Sequence, residues 1–318
     1  MDGLSYLQAV VIGAMQGATE LFPVSSLGHA VLVPAWIGGD WSHLVTQTST
    51  ANSSESPYLA FIVALHVATA FALLIFYRRD WVSIIGAFFR TVRTRRVETS
   101  TERLAWLIVV ATIPVGITGL ALEHPFRTLF AKPLAASIFL TINGLILGAG
   151  EMLRRRAERR AHATPDVDDS SHDLVAQSGS GRSTQVVTVT NRRLDSLGYK
   201  EAGFIGLFQT LALFAGISRS GITIVAGLLR GLDHEDAAKF SFMLATPVIL
   251  AAGVLKAPTL VGPAATGIHG EILAGFVTAG VAAYLTVRFL TRYFTTRTLL
   301  PFAVYCLVAG GLSIIRFA

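Results

Sequence analysis

The chain has 318 residues, 52% of them hydrophobic and 14% charged, with a formal net charge of +6 and a mean hydropathy of +0.58. Soluble domains carry charge on about a quarter of their residues, so composition excludes a water-soluble globular protein. The placement of charge excludes a nucleic-acid binder, because basic residues cluster just past the ends of apolar runs instead of along a soluble face.

In chain order, residues 4–39 come first, an apolar stretch without Lys or Arg, broken by Glu20-Leu21-Phe22-Pro23-Val24-Ser25-Ser26. It lacks the basic n-region of a signal peptide, and the N-terminus is expected to be retained. Each piece is about a dozen residues, too short for a ~30 Å bilayer core and suited to a re-entrant hairpin. Spans are predicted at 58–77, 104–122 and 134–153. Residues 154–200 are polar, with Asp166-Val167-Asp168-Asp169 and Ser178-Gly179-Ser180-Gly181, and predict a flexible linker. Val186 to Thr190 alternates weakly, which suits a short strand. Residues 203–231 form a second broken stretch, interrupted by Gly216-Ile217-Ser218-Arg219-Ser220-Gly221, and further spans are predicted at 240–257, 271–290 and 298–317.

Single polar residues inside these runs have plainer readings. His66 either packs or supports a nearby site. Glu151, beside Arg154 and Arg155, reads as an ordinary surface ion pair. Gly13-x3-Gly17 and Gly144-x3-Gly148 read as helix-packing surfaces. The single cysteine, Cys306, excludes a disulfide framework and is expected to pack as a small apolar side chain.

The two broken stretches align without gaps: Gly13 meets Gly206, Gln16 meets Gln209, Ser25 meets Ser218 and Gly28 meets Gly221. Each is followed by three spans, an odd number, so the second half inserts upside down relative to the first. The expected fold is an all-α polytopic membrane protein with an inverted repeat, each half one re-entrant hairpin plus three transmembrane helices. The halves are 1–153 and 201–318, joined by the linker 154–200. With the N-terminus outside, segments 78–103, 154–202, 230–239 and 288–297 lie inside and hold 21 of the 26 basic residues. The positive-inside rule thus places both termini outside a cell membrane and the linker in the cytoplasm. Asn52-Ser53-Ser54 forms a glycosylation sequon on an outside loop, a three-residue pattern that arises by chance.

The breaks concentrate the polar chemistry. Gln16 and Glu20 lie four apart, on one helix face, and Pro23 then ends that helix near Ser25, Ser26, Gly28 and His29. Arg219 at membrane depth costs about 2.5–3.5 kcal/mol on insertion scales, and its planar fork suits a phosphate. Ser218 and Ser220 flank it, Ser220 sits where a helix would start at 221, and free N–H groups with Thr223 would face the same anion.

These residues carry a resemblance. Gln16-x3-Glu20 with Pro23-Val24-Ser25-Ser26-Leu27-Gly28-His29, then Gly216-Ile217-Ser218-Arg219-Ser220-Gly221-Ile222-Thr223, is similar to the two long signatures of the undecaprenyl-diphosphate phosphatase family, the bacitracin-resistance type of membrane polyprenyl diphosphatase. Ala215 stands where the second signature has proline, and Gln16 where many bacterial members have Glu. The resemblance implies hydrolysis of a polyprenyl diphosphate to the monophosphate, recycling a glycan carrier lipid. It implies a divalent cation, Mg or Ca, with Glu20 as a ligand, and allows for a homodimer. It also implies roles: Ser26 as nucleophile, Glu20 as essential acid, His29 as proton-transfer partner, and Arg219, Ser218 and Thr223 on the diphosphate. Gln16, Ser25 and Ser220 join that binding set, and attack by Ser25 or by water stays open. His29 lies three residues from Ser26 and reaches it if the turn is helical. Phosphatidate-phosphatase chemistry is excluded, since its nucleophilic His would fall at Val225. A polyprenyl-phosphate flippase would need the same phosphate clamp and the same repeat, so transport stays open as the alternative.

Overall fold

The computed structural model describes residues 4–42, 57–121, 132–163, 193–261 and 267–318. The strand expected at 186–190, the acidic patch at 166–169, most of the linker and the sequon lie outside them. Among the described residues every regular element is helical. Ser5 opens α1 (Tyr6–Thr19) with a capping box, its hydroxyl accepting the Gln8 N–H at 3.3 Å while Gln8 Oε1 accepts the Ser5 N–H at 2.9 Å. After the Pro23 turn comes α2 (Ser26–Ile37). Then follow α3 (Pro57–Phe76), α4 (Arg78–Thr94), α5 (Ser100–Ala121) and α6 (Pro133–Ala163). The second half has α7 (Tyr199–Gln209), a 3-10 turn at Thr210–Leu213, α8 (Arg219–Leu229) and α9 (His234–Leu255). Last come the short α10 (Ala257–Val261), α11 (His269–Tyr293) and α12 (Leu300–Phe317).

Among the described residues, five helices are long and apolar enough to cross a membrane: α5, α6, α9, α11 and α12. A sixth candidate is α3, which meets α4 at a bend of 88°. The chain is therefore a multi-pass integral membrane protein. The sequence reading passed over α4, treating 78–103 as a charged connection. Its arginines sit on one side while Ile84, Ala87 and Thr91 are buried. It is anchored on α5 by Trp106 Nε1 donating to Thr91 Oγ1 at 2.9 Å and by the Arg90–Glu102 pair at 2.6 Å.

The short helices pack where small residues let backbones meet. α1 lies along α11, and α7 lies along α5. A Cβ on Gly13 would stand 2.6 Å from the Gly275 carbonyl oxygen, and one on Gly206 would collide with the carbonyl of Ala111. In a bilayer such close packing, not exclusion from lipid, holds helices together. The Gly13, Gly17 and Gly144 positions all abut neighbouring backbone, as packing surfaces do. Cys306 is fully buried beside Asn143.

Glu151 corrects an expectation. It is 1% exposed and bonds two partners, accepting from Arg155 Nε at 3.0 Å and pairing with His234 Nε2 at 2.8 Å. Arg154 in turn contacts the His234 ring. This is a buried junction of α6 with the start of α9, not a surface pair, and the sequence hid His234 because it lies 83 positions away.

Candidate active site

The tips of the two broken segments meet. Each second helix starts at a serine N-cap: Ser25 Oγ accepts the Gly28 N–H at 3.2 Å, and Ser218 Oγ accepts the Gly221 N–H at 3.2 Å. The helix thus starts at Arg219, earlier than expected, and the Gly221 N–H is already used. Ser25 also accepts the Gly216 N–H at 3.2 Å, tying one tip to the other. Gly28 and Gly216 approach so closely that a Cβ on Gly28 would lie 3.0 Å from Gly216 Cα. Gly216 has φ of 112°, open to glycine at no steric cost, whereas Ser25 at φ 69° holds a left-handed conformation that costs a non-glycine residue about 1–3 kcal/mol. Asn143 of α6, fully buried, fastens both tips, its Nδ2 donating to the Pro23 carbonyl at 3.0 Å and its Oδ1 accepting the Ser218 N–H at 3.0 Å.

Beside this junction lies a cavity of about 330 Å³, lined by Glu20, Ser25, Ser26, Ser218 and Arg219, by His66 and Gln209, by apolar residues of α3, α5 and α9, and by Lys256. Glu20 is its centre. Its Oε2 accepts the Ser26 hydroxyl at 2.5 Å and the Gln16 amide at 3.1 Å, and its Oε1 accepts Arg219 Nη2 at 2.6 Å. His66 Nε2 stands 3.4 Å from Oε2, while its Nδ1 donates to the Ile62 carbonyl at 2.8 Å. Glu20 is 7% exposed, so its charge is held by protein rather than water, and such a pair persists only when its remaining lone pairs are bonded. Arg219 Nη1 is buried without a partner among the described residues. That free donor, next to a hydroxyl already hydrogen-bonded to a carboxylate, is equipped to bind and attack a phosphoryl group.

Three expected site residues stand elsewhere. The His29 ring turns away from Ser26: Nδ1 bonds the Ser25 carbonyl at 2.7 Å and Nε2 the Tyr305 hydroxyl at 2.7 Å. A carbonyl only accepts, so Nδ1 carries hydrogen, and in the neutral ring Nε2 takes the Tyr305 O–H. One helical turn does place His29 close in sequence to Ser26, but it stacks on Tyr305 with centroids 5.7 Å apart. Ser220 donates to the Phe22 carbonyl at 3.2 Å, and Thr223 bonds the Arg219 carbonyl at 2.7 Å and Ser241 Oγ at 2.5 Å. Neither lines the cavity. Gln16 sits behind Glu20 and holds it. The sequence did not mark Asn143 or Tyr305. Gln209 was visible only as the partner of Gln16 in the repeat.

A resident metal fits this donor set poorly. Among the described residues no three His, Cys, Asp or Glu side chains gather into a ligand group, and Glu20, the carboxylate of the cavity, is already neutralised by Arg219. Calcium sites built by protein need more oxygen ligands than this, and magnesium is more often held by one or two carboxylates together with substrate phosphates than by protein alone.

The sequence profile of the family described as bacitracin resistance protein BacA matches residues 9–312. The chain is 62% identical to undecaprenyl-diphosphatase 2 of Frankia alni, covering all of this chain and 99% of the relative. It is 57% identical to undecaprenyl-diphosphatase of Mycolicibacterium paratuberculosis over 99% of this chain and 98% of that protein, and 41% identical to the undecaprenyl-diphosphatase of Granulibacter bethesdensis over 100% and 99%. Similarity of this extent leaves neither broken segment and no candidate span unmatched, and the chain belongs to the BacA family of bacitracin resistance proteins.

Proposed function

We propose that this protein hydrolyses undecaprenyl diphosphate to the monophosphate and inorganic phosphate through Ser26, Glu20 and Arg219. One observation carries the residue assignment: a single buried carboxylate accepts both the Ser26 hydroxyl, at 2.5 Å, and the Arg219 guanidinium, at 2.6 Å. Ser26 Oγ attacks the terminal phosphorus as its proton passes to Glu20. The bond from that phosphorus to the bridging oxygen breaks, and its electron pair leaves on the lipid monophosphate, which takes the proton from Glu20. Water then attacks the phosphoserine phosphorus and gives a proton to Glu20, and the departing Ser26 oxygen takes that proton back. Arg219 Nη1 donates to the phosphoryl oxygens where charge builds up. Seated against the Ser25 carbonyl and Tyr305, His29 positions the turn, and the proton moves through Glu20. The apolar walls from Ile62, Val115, Val248 and Ile249 suit the first isoprene units of the lipid.

The inverted repeat and the orientation belong to the same reading. Several pairings exchange under the repeat: α1 on α11 answers α7 on α5, the Ser25 cap answers the Ser218 cap, and Gly28 against Gly216 answers Gly221 against Pro23. With the N-terminus outside, the cavity residues fall in the outer half of each span: Ile62 and His66 early in α3, Val115 late in α5, and Ala252 with Gly253 late in α9. The cavity then opens to the outer face, where Lys256 stands at the end of α9 and can draw in an anionic head group.

The test is phosphate release from undecaprenyl diphosphate by purified protein in detergent. Turnover there identifies a hydrolase, because detergent removes the compartments that transport requires. Lipid binding without phosphate release would overturn the reading in favour of a carrier.

A further inference from the structure

Gln209 ends α7 and is fully buried, lines the cavity, and leaves both its Oε1 and its Nε2 without a partner among the described residues. An unpaired buried amide is destabilising, so stability alone does not account for it. Its repeat counterpart Gln16 donates Nε2 to Glu20, four residues on. The residue four after Gln209 is Leu213, so the second hairpin offers its glutamine no carboxylate, and the amide stays unpartnered in the wall of the cavity.

We infer that Gln209 is a substrate-recognition residue that holds the phosphate remaining on the lipid. The inference rests on the hydrolase reading above. A diphosphate places two phosphoryl groups in the cavity. Glu20, with Ser26 and Arg219 both bonded to it, surrounds the one that is transferred. The unpaired amide of the other hairpin takes the second, Nε2 donating to a non-bridging oxygen and Oε1 accepting from a P–OH or a water. Being neutral, the amide orients that phosphate without the strong charge attraction that would retain the monophosphate product.

The experiment compares wild type with Gln209→Met, which keeps the length of the side chain, and Gln209→Glu, which keeps its shape and adds negative charge. KM for undecaprenyl diphosphate, Ki for undecaprenyl monophosphate, Ki for inorganic phosphate and the melting temperature are measured in detergent. Loss of a hydrogen bond to a charged group weakens binding about ten- to hundredfold. We expect rises of that order in KM and in the monophosphate Ki for Gln209→Met, and larger rises for Gln209→Glu. The inorganic phosphate Ki stays within a few-fold, and the melting temperature of Gln209→Met is equal to or above that of wild type. An unchanged monophosphate Ki overturns the inference, as does a lower melting temperature with parallel loss of all affinities, which marks a structural amide. If wild type releases no phosphate, the hydrolase reading fails by itself. Thermal shift by undecaprenyl monophosphate, present for wild type and reduced for Gln209→Met, then still reads out the role of Gln209.

Discussion

Replacing Glu20 by glutamine tests the proton route directly. The amide keeps one oxygen, which stays with Arg219, now at 2.6 Å from Glu20 Oε1, and presents an NH2 where Oε2 accepts Ser26 and Gln16. Gln16 can adapt, since its Oε1 is unpartnered among the described residues and a flip of its amide lets it accept. Ser26 cannot be compensated, because its proton has lost the only carboxylate that lines the cavity among the described residues. A positioned general base contributes about 10²–10⁴-fold, or about 3–5.5 kcal/mol of barrier. The assay is phosphate release with kcat and KM resolved, alongside a melting curve, because an unpaired Arg219 charge also lowers stability. We expect kcat to fall by about two to four orders of magnitude with KM changed only a few-fold. A kcat within tenfold of wild type, in folded protein, would refute proton transfer through Glu20.

Ser26→Ala should abolish turnover while the substrate still raises the melting temperature, whereas Ser25→Ala should chiefly lower stability, since it leaves the Gly28 and Gly216 N–H groups unpaired; substantial turnover by Ser26→Ala would leave water as the attacking group. Arg219→Lys keeps charge but loses the fork, and about a 10²–10³-fold loss in kcat is expected, in line with removal of one anion-stabilising donor. Tyr305→Phe frees His29 Nε2 and should cost less than tenfold in kcat, while a hundredfold loss would return His29 to the proton path. For orientation, a cysteine at Ser49 should react with an impermeant maleimide in intact cells and one at Ser178 should not; native Cys306 is buried and gives little background.

Much of this was legible in the chain because membrane insertion leaves few options. An apolar run long enough to span, or a pair too short to do so, announces itself by length. Glu20 and Arg219 stood out because ionised groups are costly at that depth. The limits follow from the same physics. In α4 the apolar period is diluted by arginines, so the amphipathic helix does not stand out from the basic segment 78–103. Ser26 and His29 are one turn apart, yet the Ser25 carbonyl and Tyr305 decide which way the imidazole faces, and Tyr305 lies 276 positions away. Thr223 looked available to an anion until Ser241, from the next helix, took its hydroxyl. Asn143 carries no charge and no motif, and only its partners reveal it.

Asn143 also links the two tips mechanically. An amide group is rigid and planar, so its nitrogen and oxygen cannot follow their partners independently. When a ligand presses on the second tip and shifts Ser218, the plane tilts or the bond breaks. A tilt carries along the Pro23 carbonyl held at 3.0 Å, and three residues on from Pro23 is Ser26. The positions of the two loops are thereby tied through one rigid side chain, like two levers on one pin.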